Sequence, residues 1–487
     1  MQSNFTSILL LVVLLAGTTP AQTGAREQRP TQQQQTQQQQ TQQPLAIRGE
    51  TVYTMAGQPI RDGVVLIRDG KIERVGAAVD VQIPAGYRTV TARVVTPGLI
   101  DAHTVVGLAG YLNQPHDQDQ VERSAAMQPE LRAIDAYNPR EELVSWLRRH
   151  GVTTIHTGHG PGALISGGTM IAKTVGDTAD EAVVLPDAMI AVTLGPEAYA
   201  AGGRAPGTRA KEIALLRQEL IRAQEAVIKG ARGAGGATRP GNTAGSPDPA
   251  TVPRQPNEQV GARGTTDTTV PVGRPAESAG GQGGASSGGQ GGASSGGDST
   301  ARDLRREALM RVIRRETPLL VTAHRAHDIV SALRLAREFN IRIVLDGAAE
   351  SYLVVDEIKR AGVPVVVHPT MYRAVGETEN LSMETAATLR RAGITVALQS
   401  GFENYVPKTR VVLFEAAVAA ANGLQPQEAL ALVTSDAARV LGIANRVGSL
   451  EAGKDADLAL FDGDPFEYTT RVTGVIINGR VVSEEAR

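Results

Sequence analysis

His103 closes the run VVTPGLIDAH, His156 and His159 sit in TTIHTGHG, His324 closes PLLVTAH and His368 closes VVVH. Each imidazole follows an apolar stretch of the kind that forms a buried strand, so the rings should gather where strands end and loops begin. Imidazole is a ligand for zinc or copper and, when neutral, a hydrogen-bonding group for a substrate. On these residues alone both chemistries stay open. Asp346, near the end of IRIVLDGA, adds a carboxylate that either binds metal or caps the turn after its strand. In TVALQSGF, Gln399 and Ser400 bring an amide and a hydroxyl to another strand end, and neither takes a proton at neutral pH. Glu403, a few residues on, is a candidate base or a solvated loop residue. Lys173, in GGTMIAKTVG, reads as a surface lysine in preference to a carboxylated metal bridge, because lysine is seldom buried without a partner. His327 reads as the polar start of a helix.

The elements that must position these groups alternate between short apolar runs and amphipathic stretches. Strands are predicted at 95–100, 153–157, 319–323, 342–345, 364–367 and 395–398, with helices at 140–149, 327–338 and 384–392 between them. This is the pattern of parallel βα units, and it predicts an α/β fold, a (β/α)8 TIM-like barrel with its chemistry at the C-terminal ends of the strands. Gly158–Gly168 (GHGPGALISGG) fits neither phosphate-loop spacing and reads as a tight loop over the barrel mouth. Residues 45–93 and 448–487 read differently, as alternating strands broken by Gly and Asp-Gly turns.

Composition narrows the function classes. Lys plus Arg number 49 against 51 Asp plus Glu, a net charge of −2, which gives no handle for nucleic acid or an anionic membrane surface. With no cysteine there is no disulfide, thiolate nucleophile or Cys-based metal site, so any metal is held by His, carboxylate or modified Lys. Residues 1–21 resemble a secretory signal: Ile8–Ala16 is apolar but shorter than the roughly 20 residues that span a bilayer, and Thr19 and Ala21 offer a cleavage site. Export to a periplasmic or extracellular location follows, with no stable membrane anchor after cleavage. The Gln/Thr tract within 22–44 reads as a flexible tether. Residues 230–300, rich in Gly, Ser and Pro with the octamer GGQGGASS twice, read as a disordered insertion between barrel halves 94–229 and 301–447. Its two ends should lie close together.

Two segments carry a family resemblance. VVTPGLIDAH resembles the first barrel strand of the amidohydrolase superfamily, PGLIDxHxH, and GSLEAGKDADL at Gly448–Leu458 is similar to a second signature of that family. The resemblance, which extends to imidazolonepropionase-like amidohydrolases, implies a barrel beside a small β-sandwich built from both chain ends. It also implies hydrolysis of a cyclic or linear non-peptide C–N bond by metal-activated water. The ligand set departs from the family's: Val105 stands where the second strand-one histidine belongs, Asp346 or Gly347 at the strand-six histidine, and Gln399 with Ser400 at the strand-eight aspartate. His103 and His324 match family histidines and read as ligands or as hydrogen-bonded relics. The expectation is one divalent transition metal, zinc first, or none. It would be held by His103, His324 and a third group from His156, His159, His368 or Asp346. His156, His159 and Gln399 are otherwise substrate-binding candidates. The implied partner is a small molecule, with no particular oligomeric state. The alternative is a catalytically inactive barrel that binds a ligand or partner outside the cytoplasm.

Overall fold

The computed structural model describes residues 43–484, apart from 113, 201, 203, 236–301, 369–373 and 402–411. The signal segment, most of the tether and of the insertion, and Glu403 lie outside the described residues. Among those described, no helix is long and apolar enough to cross a membrane.

The chain begins with β1 (Leu45–Val52), β2 (Ile60–Arg68), β3 (Lys71–Ala77) and β4 (Arg88–Pro97). β1 pairs antiparallel with β2, β2 with β3, and β1 runs parallel to β4. At Gly98 the chain leaves this sheet for β5 (Leu99–Thr104). The run 95–100 is therefore two strands rather than one. Gly98 makes the break possible, because a Cβ there would stand 2.1 Å from Thr153 Oγ1.

Next come β6 (Val152–Thr157), β7 (Ile165–Gly168), β8 (Met170–Lys173), β9 (Val183–Leu185) and β10 (Ile190–Thr193). They are followed by β11 (Leu319–Thr322), β12 (Ile343–Gly347), β13 (Val365–Val367) and β14 (Val396–Leu398). β10 to β14 are parallel neighbours in a six-stranded sheet edged by antiparallel β7, while β5 and β6 are parallel in a four-stranded sheet with β8 and β9. These are two sheets, not one closed ring, and a parallel bridge from Thr104 to Gly401 joins their ends. The fold is mixed α/β.

Side-chain alternation explains how the sheets bury both faces. Ile100, Leu320, Val344, Val366 and Ala397 meet in one inner cluster with Ala437, Ala438 and Val440 of the helix Ser435–Val440. Leu99, Leu319, Val321, Ile343, Leu345, Val365, Val396 and Leu398 turn outward into the larger cluster formed with the helices. The helix Ala326–Phe339 lays Ile329, Ala332, Leu333 and Ala336 on that outer face at helical spacing and ends at Asn340, whose left-handed backbone (φ 52°) stops it. The helix Glu142–Arg149 starts where the Glu141 side chain accepts from Leu143 N–H, and it buries Leu143, Val144 and Leu147. The helix Arg209–Gly235 runs through residues 230–235, which composition alone assigns to the insertion, and packs on the helix Leu304–Ile313 beyond it. Extending an established helix costs far less than nucleating one.

The C-terminal strands β15 (Leu458–Phe461), β16 (Val472–Ile477) and β17 (Arg480–Ser483) return to the first sheet, where β15 pairs antiparallel with β4. The order is β17-β16-β15-β4-β1-β2-β3, so both chain ends build one seven-stranded sheet.

Candidate active site

Inward parity at the C-terminal ends of the parallel strands sets the site. Thr322, Asp346 and Gln399 each lie two residues beyond an inner-cluster residue (Leu320, Val344, Ala397), so they share the interior face. On β5 the pairing with β6 shifts register between Asp101 and Thr104, an irregularity of the kind that re-aims a side chain. His103 lies against Asp346, its Nδ1–H donating to Oδ1 at 2.9 Å. The same oxygen accepts from Gln399 Nε2 at 2.9 Å, and Oδ2 accepts from the Thr322 hydroxyl at 2.7 Å. His103 Nε2 is buried without a hydrogen-bond partner.

The electrostatics follow from this pairing. Burial opposes the imidazolium of His103, but the charge and hydrogen bond of Asp346 outweigh it and raise the pKa above the ordinary imidazole value. Burial likewise works against the Asp346 carboxylate. The charge and hydrogen bond of His103, with the Thr322 hydroxyl, hold it below the usual range all the same. Asp101, whose Oδ1 accepts from Ser400 N–H at 3.0 Å and His103 N–H at 3.3 Å, is pushed by burial up to about 7.

The other histidines have separate fates. His156 packs 5.8 Å from His103, ring centroid to centroid. Its Nδ1–H donates to Ala102 O at 2.8 Å, which leaves Nε2 to accept from the Thr169 hydroxyl at 2.6 Å. Burial drives its pKa down to about 3, so both nitrogens of a neutral ring are spent on protein atoms. His324 is driven down to about 4 by burial and by the neighbouring His368, against the pull of Asp346. Its ring fills the space over Gly347, where a Cβ would stand 2.5 Å from His324 Cε1. His368 follows β13, and its N–H donates to Gly347 O at 2.7 Å. His159 lies apart, packed against Gly167 with both ring nitrogens buried and unpaired. His103, Asp346, Gln399, His156, His324 and His368 are thus brought together; His159 is not part of their contacts.

Lys173 is a correction. Far from being a surface lysine, it is 3% exposed, and its ammonium lies between Asp455, at 3.2 Å, and Asp457. Lys71 and Arg446 also reach Asp455, at 2.6 and 3.0 Å. The two aspartates belong to the GKDAD motif, and they supply the partner without which a lysine would stay exposed. Thr322 and Asp101 escape a reading centred on histidine. Parity was the available signal for Thr322, two residues before His324.

Among the described residues, no three His, Asp or Glu are grouped to hold a metal ion. The physical cause is competition: Asp346 already accepts three hydrogen bonds, His156 has no nitrogen to give, and His103 offers Nε2 alone.

A sequence profile of the amidohydrolase family matches residues 391–482. The imidazolonepropionase of Mesorhizobium japonicum is 36% identical over 104 residues, 21% of this chain and 25% of that protein. The imidazolonepropionase of Brucella suis is 31% identical over 163 residues, 31% of this chain and 40% of that one. The matches thus span between a quarter and two-fifths of those relatives' length. The crystal structure of an amidohydrolase from Thermotoga maritima MSB8 superposes with a TM-score of 0.73 at 24% identity, covering 91% of this chain and 100% of that chain. A prolidase complexed with N-methylphosphonate-L-proline gives 0.51 at 16% identity with the same coverage. At these identities the likeness to the solved structures is one of fold.

Proposed function

We propose that this chain, which belongs to the amidohydrolase superfamily, hydrolyses a non-peptide C–N bond of a small molecule at the mouth formed by β5 and β10 to β14. The observation that carries the reading is the buried pair of His103 and Asp346, with Nδ1–H donated to the carboxylate at 2.9 Å and Nε2 left unpaired. A carboxylate that fixes the tautomer and stabilises the imidazolium is the arrangement that makes a histidine a general base. In the proposed step, Nε2 takes a proton from water as the water oxygen bonds to the carbonyl carbon. The same proton then passes to the departing nitrogen as the C–N bond breaks. Asp346 stays ionised throughout. Metal-activated water, which the resemblance implies, draws no support from these residues, and no step is routed through a metal.

A second reading has its own observation. Asp346 and His156 spend their polar atoms on protein groups, and Gln399 carries no proton-accepting side chain, which suits a barrel that binds without turnover. Export rests on the N-terminal apolar segment and remains part of the proposal.

The experiment is turnover of a panel of lactams, imidazolones and linear amides by the mature chain and by His103→Ala. The proposal expects hydrolysis of at least one compound and a loss of roughly 10²-fold or more in the variant. Full activity in folded His103→Ala overturns the base assignment. Saturable binding with no hydrolysis across the panel favours the second reading.

A further inference from the structure

The site just described disagrees with the metal chemistry its superfamily implies, and the disagreement is specific at each position. Two ligand positions carry neither imidazole nor carboxylate: Val105 is apolar and buried, and Gln399 turns its amide N–H onto Asp346. At Gly347 the difficulty is space. With φ at +70°, and with a Cβ only 2.5 Å from His324 Cε1, a histidine there would displace the His324 ring. Lys173, the candidate for a carboxylated metal bridge, is held between Asp455 and Asp457.

We infer that the buried, hydrogen-bonded pair of His103 and Asp346 stands in place of the metal, so that this barrel mouth is metal-independent. The inference rests on the barrel-mouth reading above but not on turnover. On the His103 ring a divalent cation would find Nε2 alone. The adjacent carboxylate has each oxygen engaged by a donor, from His103, Gln399 and Thr322, and a metal would have to break those bonds to gain one ligand. The imidazole of His156 lies 5.8 Å away by ring centroid and has its tautomer fixed by Ala102 and Thr169. In place of a cation bridging several anionic ligands there is one imidazole, one carboxylate and two neutral donors that complete the carboxylate's shell. A shell completed by protein donors needs no metal to be satisfied.

The test is elemental analysis of the full mature chain, prepared without chelator or metal-affinity resin, then exposed to excess zinc and dialysed. The inference expects less than about 0.1 equivalents of any transition metal per chain, because a site without grouped ligands cannot retain one. It also expects a melting temperature unchanged by EDTA. One retained equivalent that is lost in both His103→Ala and His324→Ala overturns it. One equivalent that persists in both variants lies elsewhere and upholds it. Asp346→Asn adds a second readout in the folded protein: the downfield Nδ1–H proton resonance of His103 should vanish while metal content stays at the baseline. Failure to find any hydrolysed compound would sink the functional proposal and leave this result intact.

Discussion

His103 and Lys173 both sit on strands of the four-stranded sheet, and both meet carboxylates that are almost fully buried, yet the two clusters differ in one respect. Around Lys173 the charges are satisfied on every side. Asp455 is shared by Lys173, Lys71 and Arg446, and Asp457 accepts from Asn478 N–H at 2.9 Å as well as from Lys173. This network ties β8 to β3 and to the C-terminal motif, the seam between the seven-stranded and the four-stranded sheet. Around His103 the carboxylate is equally well served, but one nitrogen of the ring is left over. A closed network holds two parts of a fold together; an open valence, kept in place by a closed one, is what a reactive site requires.

That contrast can be broken by substitution. Lys173→Met leaves two buried aspartates facing each other with only Lys71 and Arg446 for compensation, and should cost about 3–5 kcal/mol in urea unfolding. A loss below about 1 kcal/mol would mean the network is replaceable by packing. Asp346→Asn keeps a side chain of the same size whose one oxygen can still accept from Gln399 while its amide N–H donates to the Thr322 hydroxyl, so the expected cost is smaller, about 2 kcal/mol, with any turnover reduced far more than stability. Equal losses in both would make Asp346 a structural residue like Asp457. Gly347→Ala should cost about 1–3 kcal/mol, since it strains a positive φ and pushes on the His324 ring.

The smallest effect is one of pH. Asp101 holds its proton in the folded state up to about 7, whereas the unfolded chain releases it near the ordinary carboxylate value of 3.8. The folded state therefore binds the extra proton between those two values, and stability should fall as pH rises through that window. His103, raised by Asp346, acts in the same direction at higher pH: its contribution is full below the unfolded imidazole value of 6.5 and is lost above it. Asp101→Asn should flatten the acidic part of the curve only. An unchanged slope between pH 4 and pH 7 would show that Asp101 is ionised throughout.

Much of this was legible in the sequence, and for physical reasons. The inner and outer faces of β11 to β14 follow from alternation, and 319–323 and 395–398 lie within a residue or two of the strands observed. The meeting of both chain ends in one sheet followed from a family motif, not from periodicity. The break at Gly98 was hidden inside a continuous apolar run, because what forces it is Thr153, a neighbour in space but not in sequence. The same limit explains Lys173. Its burial depends on aspartates at positions 455 and 457, across most of the chain, and no local pattern announces them. For the site, the histidines and Asp346 were visible as strand-end residues, but their pairing was not. Whether an imidazole faces a metal or a carboxylate is decided by which strands are neighbours and by a register shift in β5.

The central claim, that a hydrogen-bonded His–Asp pair occupies the place of the metal, is met most directly by anomalous diffraction at the zinc edge from crystals soaked in zinc. The account predicts no peak near His103 or His324, with His103 Nδ1 and Asp346 still within hydrogen-bonding distance. A peak about 2.0–2.2 Å from His103 Nε2 or from an oxygen of Asp346 would contradict it.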